Sequence, residues 1–101
     1  MKNKSITEDI LGSSANVKIL DCLMDGIGLD YAISDFAEMS NVSRQHTNKI
    51  INTLLKYGIV VATRITGRTQ LYSINEDNAI AKKLLAFQDE LLKYQTKRLK
   101  E

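Results

Sequence analysis

Apolar residues recur three and four apart through the first half of the chain, and every second residue for a short stretch past its middle. They recur three and four apart again to the end. Ser5-Ile6-Thr7-Glu8 has capping-box spacing and opens a short helix that Gly12 closes. Ser13 or Ser14 then caps a helix from Ala15 to Met24, with Val17, Ile19, Leu20, Leu23 and Met24 as its apolar face. Asp25-Gly26 stops it, with Gly26 suited to a left-handed cap. Gly28 to Ile33 reads as a turn and a very short extended piece. Ser34 caps a helix from Asp35 to Met39, and Ser43 caps another from Arg44 to Tyr57, which Gly58 ends.

From Ile59 to Ile65 the period becomes two and β-branched residues dominate. Thr66-Gly67-Arg68-Thr69 is a turn and Gln70 to Ile74 a second strand, which predicts a hairpin. Asn75 caps a last helix from Asp77 to Lys100, with Glu76 and Asp77 placed to complement its N-terminal dipole. The order is helix, short strand, helix, helix, hairpin, helix, without repeat or linker.

Asp35 to Ile50 has the pattern of a helix-turn-helix. Two helices that cross closely need a small residue, here Ala37. Their turn needs a residue that tolerates positive φ, here Asn41, followed by an apolar plug, Val42. On the second helix Thr47, Ile50, Ile51, Leu54 and Leu55 share one side. Gln45, Lys49, Asn52 and Lys56 lie opposite, flanked by Arg44 and Asn48, and no acid is among them. Arginine and lysine donate to guanine, and glutamine and asparagine bond adenine in pairs. Each residue also has a plainer role. Gln45 and Asn48 serve equally as solvated positions, His46 lies at the helix flank, and Lys56 complements the helix C-terminus.

Composition narrows the class. With 101 residues, 44% hydrophobic and 26% charged, the chain is one ordinary globular domain. It has no apolar run long enough to span a membrane and no signal-like start, so no membrane partner is expected. The single cysteine, Cys22, fits a reducing cytoplasm and reads as a small hydrophobe. One cysteine and one histidine build no zinc site, and no metal or cofactor is expected. No nucleophile stands with a supporting base, and Gly26-Ile27-Gly28 lacks the rest of a dinucleotide fingerprint, so an enzyme is not expected.

Net charge is only +2, but its distribution is uneven. Residues 1–41 carry three lysines against seven acids. Residues 42–75 carry Arg44, Lys49, Lys56, Arg64 and Arg68 and no acid. An acid-free basic block is what a phosphate-facing surface requires. In the hairpin, Arg64 and Arg68 flank the Thr66-Gly67 tip, as in a basic wing that reaches the backbone or minor groove.

Several segments carry a family likeness. Leu54-Leu55-Lys56-Tyr57-Gly58-Ile59-Val60 looks like the end of a recognition helix, and Gly67-Arg68-Thr69-Gln70-Leu71-Tyr72-Ser73-Ile74 like a second wing strand. Leu11-Gly12-Ser13 through Ile19-Leu20 is similar to an opening helix. Together, over residues 10 to 75, they resemble winged-helix transcriptional regulators of the ArsR/MarR-like class, in particular small prokaryotic and archaeal members. The resemblance implies a mainly α fold with a small β-hairpin: a winged helix-turn-helix with a long C-terminal helix. It departs at Asn16, where the family often has arginine, and in lacking the paired cysteines of metal-sensing members.

In the last helix Ile80, Leu84, Phe87, Leu91 and Tyr94 form one stripe, and Leu85, Leu92 and Leu99 an adjoining one. The basic tail, Lys93, Lys97, Arg98 and Lys100, is a solvated face. Two apolar stripes exceed what one small domain buries, so the helix is expected to pair with a second copy. Homodimers through terminal helices are also what the resemblance implies. The expected dimer residues are Ile80, Leu84, Phe87, Leu91, Leu92 and Tyr94. The chain then divides into a winged core at 10–75 and a dimerisation helix at 76–101.

The expected function is a double-stranded DNA-binding regulator, a repressor by family likeness. Its expected contacts are Ser43, Arg44, Gln45, Asn48, Lys49 and Asn52 from the recognition helix, and Arg64, Thr66, Gly67, Arg68 and Thr69 from the wing. The alternative is a winged-helix module that binds protein rather than DNA. No residue announces a small-molecule effector.

Overall fold

The computed structural model describes residues 5–99, with side chains as far as Gln95. The expectations on Lys97, Arg98, Leu99 and Lys100 concern side chains outside the described residues. The elements are α1 (Ile6–Leu11), α2 (Ala15–Asp25), α3 (Ile33–Ser40), α4 (Arg44–Lys56), β1 (Val60–Thr66), β2 (Thr69–Ile74) and α5 (Ala79–Leu99). The fold is mainly helical with one antiparallel hairpin, as the periodicity predicts.

Ser5 and Glu8 close the capping box of α1, and Ser14 rather than Ser13 caps α2. Three other local expectations need correction. Gly26 ends α2 with φ −94°, outside the left-handed region; the positive φ falls at Gly28 instead. What favours glycine at 26 is closeness: a Cβ there would sit 3.1 Å from the Tyr31 ring and 3.3 Å from the Cys22 carbonyl, so its neighbours would have to give by a few tenths of an ångström. The cap of α3 is Ala32, not Ser34, so the helix begins earlier. An alanine offers no capping oxygen, and the Asp35 carboxylate instead accepts the Ala32 N–H at 3.0 Å. The cap of α5 is Asn78, whose side chain accepts the Ala81 N–H at 3.0 Å. Asn75 serves the preceding loop, accepting from Asp77 and donating to the Gly58 carbonyl.

α3 and α4 form the helix-turn-helix. Asn41 sits in the left-handed region at φ 57°, as its place in the turn demands. Ala37 is buried, and Val42 packs against the core. The core joins Ile19, Leu23 and Met24 of α2 to Phe36 of α3, Ile50 and Ile51 of α4, Val60 and Ile74 of the hairpin and Ala81 of α5. Half-buried Cys22 packs against it. Tyr31 meets Phe36 edge-on, with ring centroids 5.6 Å apart.

The hairpin carries a third, single-residue strand. The Tyr31 backbone exchanges hydrogen bonds of 2.9 and 2.8 Å with Tyr72 of β2. The ladder order is therefore Tyr31, Tyr72, Ala62. Thr66 pairs with Thr69, leaving Gly67 and Arg68 as the turn. Gly67 has φ +63° and Arg68 does not, which matches a type II′ turn with glycine first.

Candidate nucleic-acid interface

α4 is the second helix of the helix-turn-helix, the one the sequence expects to be the recognition helix. The Ser43 hydroxyl accepts the His46 N–H at 3.1 Å, which satisfies one of the first-turn donors that a helix leaves open. Thr47, Ile50 and Ile51 are buried and Leu54 and Leu55 pack against the core, so α4 is seated along one stripe. Its other face is set by that seating. Arg44, Gln45, Asn48, Lys49, Asn52 and Lys56 are all exposed, and among the described residues no acid pairs with their cations. His46 is exposed beside them. Lys56 lies 5.6 Å from the centroid of the Tyr57 ring, so it has a partner at the helix end.

The wing places Thr66, Gly67, Arg68 and Thr69 in solvent at its tip. Arg64 stands differently. Ala62 pairs with Tyr72 and Ile65 with Gln70, so Thr63 and Arg64 together face only Leu71. That is a β-bulge, which bends the strand and re-aims its side chains. Neighbours that a regular strand would send to opposite faces here reach one carboxylate, that of Asp30. Thr63 Oγ1 donates to it at 2.6 Å, Arg64 Nε at 3.0 Å and an Arg64 terminal nitrogen at 3.2 Å. These bonds, Arg64's first, hold the Asp30 carboxyl below the usual carboxylate range, and Asp30 in turn raises the Arg64 guanidinium. Gln70 closes the bulge by donating to the carbonyls of Arg64 and Leu71 at 2.9 and 3.0 Å.

Helix and wing meet at a crevice of about 290 Å3. Arg44 from the start of α4 and Arg68 and Thr69 from the wing line it, with Ser34, Gln70 and Tyr72. The fold therefore brings together two basic residues 24 positions apart. Asp30, Ser34, Gln70 and Tyr72 were not among the sequence candidates. No local pattern marks Asp30, because its partners lie 33 and 34 residues further on.

α5 packs on α1 and α2. Leu91 is buried within the chain, and Leu84 and Leu85 pack on its core. Ile80, Leu92 and Tyr94 are exposed, as are Ile10 and Leu11 of α1, and Phe87 is half-buried. Gln88 donates to Asp25 at 2.7 Å and ties α5 to the end of α2. Lys93 forms a 3.5 Å surface pair with Glu90.

These elements define a winged helix-turn-helix with a C-terminal helix. No family model matches the sequence, and no curated protein does. Solved structures share the fold. ZitR from Lactococcus lactis, in the apo form of a mutant, is 19% identical with a TM-score of 0.64, over 98% of this chain and 85% of that one. The adhesin competence repressor AdcR from Streptococcus pyogenes is 23% identical with a TM-score of 0.63, over 83% of this chain and 64% of that one. A MarR family transcriptional regulator from Silicibacter pomeroyi is 20% identical with a TM-score of 0.58, over 84% and 60%. The chain thus spans less than two thirds of the length of several structures it resembles. No helix among the described residues is long and apolar enough to cross a membrane.

Proposed function

We propose that this chain is a sequence-specific double-stranded DNA-binding transcriptional regulator, a cytoplasmic repressor that acts by occluding a promoter, and not an enzyme. The observation that carries this reading is the outward face of α4. Arg44, Gln45, Asn48, Lys49, Asn52 and Lys56 are polar or basic, exposed and free of acid, along a helix whose N-terminus also favours phosphate. Ser43, Arg44, Gln45, Asn48, Lys49 and Asn52 address the major groove, and Thr66, Gly67, Arg68 and Thr69 the backbone or minor groove. The regulators that share the fold support the reading.

The chain works as a homodimer, with residues 10–75 as the winged core and 76–101 as the dimerisation helix. Two copies place recognition helices in successive major grooves, about 34 Å apart. Ile80, Leu92 and Tyr94 supply exposed apolar surface for the pairing, beside Phe87, Leu84 and Leu91.

Fluorescence anisotropy with a labelled random-sequence duplex, at several salt concentrations, tests the function. Saturable binding whose log affinity falls linearly with log salt supports it. Gln45→Ala then changes preference at one or two base pairs of a selected operator. Absence of binding near 50 mM salt removes the DNA reading. The exposed apolar residues Ile10, Leu11, Leu92 and Tyr94 would then favour a module that binds protein.

A further inference from the structure

The wing carries two arginines, and the structure gives them different surroundings. Arg68 lies at the turn, exposed, with no ion pair among the described residues. Arg64 lies on the bulge and gives two donors to one carboxylate. A bidentate arginine–carboxylate pair holds its geometry more firmly than a single contact between long side chains. Asp30 is well placed to keep it: its side chain is 18% exposed, against 67% for Arg64. Thr63 adds a third donor, and the Tyr31–Tyr72 bridge anchors the loop that bears Asp30. The charge of Arg64 is thus met within the protein before any phosphate arrives.

We propose that Asp30 is a positioning residue of the DNA interface: it withdraws Arg64 from phosphate contact, uses it to brace the wing against the α2–α3 loop, and leaves Arg68 as the wing's phosphate-binding cation. This rests on the DNA-binding reading above. It predicts a division of labour that sequence position does not show. Counterion release counts only cations that neutralise phosphate, so the salt dependence of binding separates the two arginines. A merely structural residue changes affinity and leaves the salt slope alone.

The test is duplex binding by anisotropy between 50 and 200 mM salt, for wild type, Arg68→Ala, Arg64→Ala, Asp30→Asn and the Asp30→Asn/Arg64→Ala double variant. Each phosphate contact contributes a slope of about 0.9, or roughly a 3.5-fold change in affinity across that range. Arg68→Ala flattens the slope by about 0.9 per protomer. Arg64→Ala lowers affinity with the slope unchanged. Asp30→Asn releases Arg64 and steepens the slope by up to about 0.9 per protomer, and the double variant returns it to the wild-type value. Far-UV circular dichroism checks that each variant keeps its fold. If Arg64→Ala flattens the slope as Arg68→Ala does, or Asp30→Asn leaves it unchanged, the inference is overturned while the DNA reading stands. If the folded wild type binds no duplex, both fall.

Discussion

Helix α4 and the hairpin contribute to the same acid-free block, yet they present their charge in different ways. The cations of α4 stand on a helix face that is outward because the opposite stripe is buried, and no acid reaches Arg44 or Lys49 among the described residues. The wing lies against the loop between α2 and α3, and an acid from that loop takes one of its two arginines. Of the five cations in the block, one is thus paired with an acid within the protein. A charge run along the sequence measures what a surface could present, and the packing of distant segments sets what it does present.

The difference in support can be tested first through stability, with urea denaturation as the measurement. Ile51, on the inner stripe of α4, is fully buried, and Ile51→Ala is expected to cost about 2–5 kcal/mol. Ile65, on the wing, is 67% exposed, and Ile65→Ala is expected within about 0.5 kcal/mol of wild type. Equal costs at the two positions would mean that the wing is packed as firmly as the helix.

Smaller effects distinguish the helix starts. Ser43→Ala is expected to cost about 1 kcal/mol, because the hydroxyl caps α4. Ser34→Ala is expected to cost less than about 0.5 kcal/mol, since Ser34 is exposed and α3 is capped at Ala32. Thr47→Val acts in the opposite direction. The Thr47 hydroxyl is buried without a hydrogen-bond partner among the described residues, and replacing it with a methyl is expected to stabilise the domain by about 1 kcal/mol.

The smallest effects come from pH. The folded-state pKa of Asp30 is lowered from 3.8, chiefly by its hydrogen bond to Arg64. Its contribution to stability is present above pH 3.8 and is lost as pH falls through the lower folded value. Asp25 is the reverse case: burial first, then the nearby Asp21, raises its pKa, against the hydrogen bond from Gln88. Its charged form is disfavoured in the fold, so stability falls as pH rises through the raised value, and Asp25→Asn is expected to raise Tm at neutral pH. Carboxyl titration by NMR checks both. In Arg64→Ala the Asp30 midpoint is expected to move back up, and an unmoved midpoint would remove the pair as its cause.

Much of the fold was legible in the residue pattern because its signals are local. The capping box at Ser5 and Glu8, the Ser43 cap, the positive φ at Asn41 and the Thr66–Thr69 turn each depend on residues within one turn of chain. The helix starts at Ser34 and Asn75 were misplaced for the same reason. Each offered a local capping oxygen, but Asp35 folded back onto Ala32, and Asn75 bonded the Gly58 carbonyl across the base of the hairpin. The outward face of α4 was legible too, since burying Thr47, Ile50 and Ile51 leaves the polar positions only one direction.

Periodicity and capping chemistry were sufficient for the number of helices, the hairpin, and the face of α4 that meets solvent. They act within a few residues, where chain connectivity already brings the partners close. The fate of Arg64, the crevice shared by Arg44 and Arg68, and the inward use of Leu84 and Leu91 came from contacts between segments far apart in the chain. Such contacts depend on how elements pack and on a single bulge in β1. No spacing along the chain encodes them, because the distance that governs a hydrogen bond or an ion pair exists only after folding.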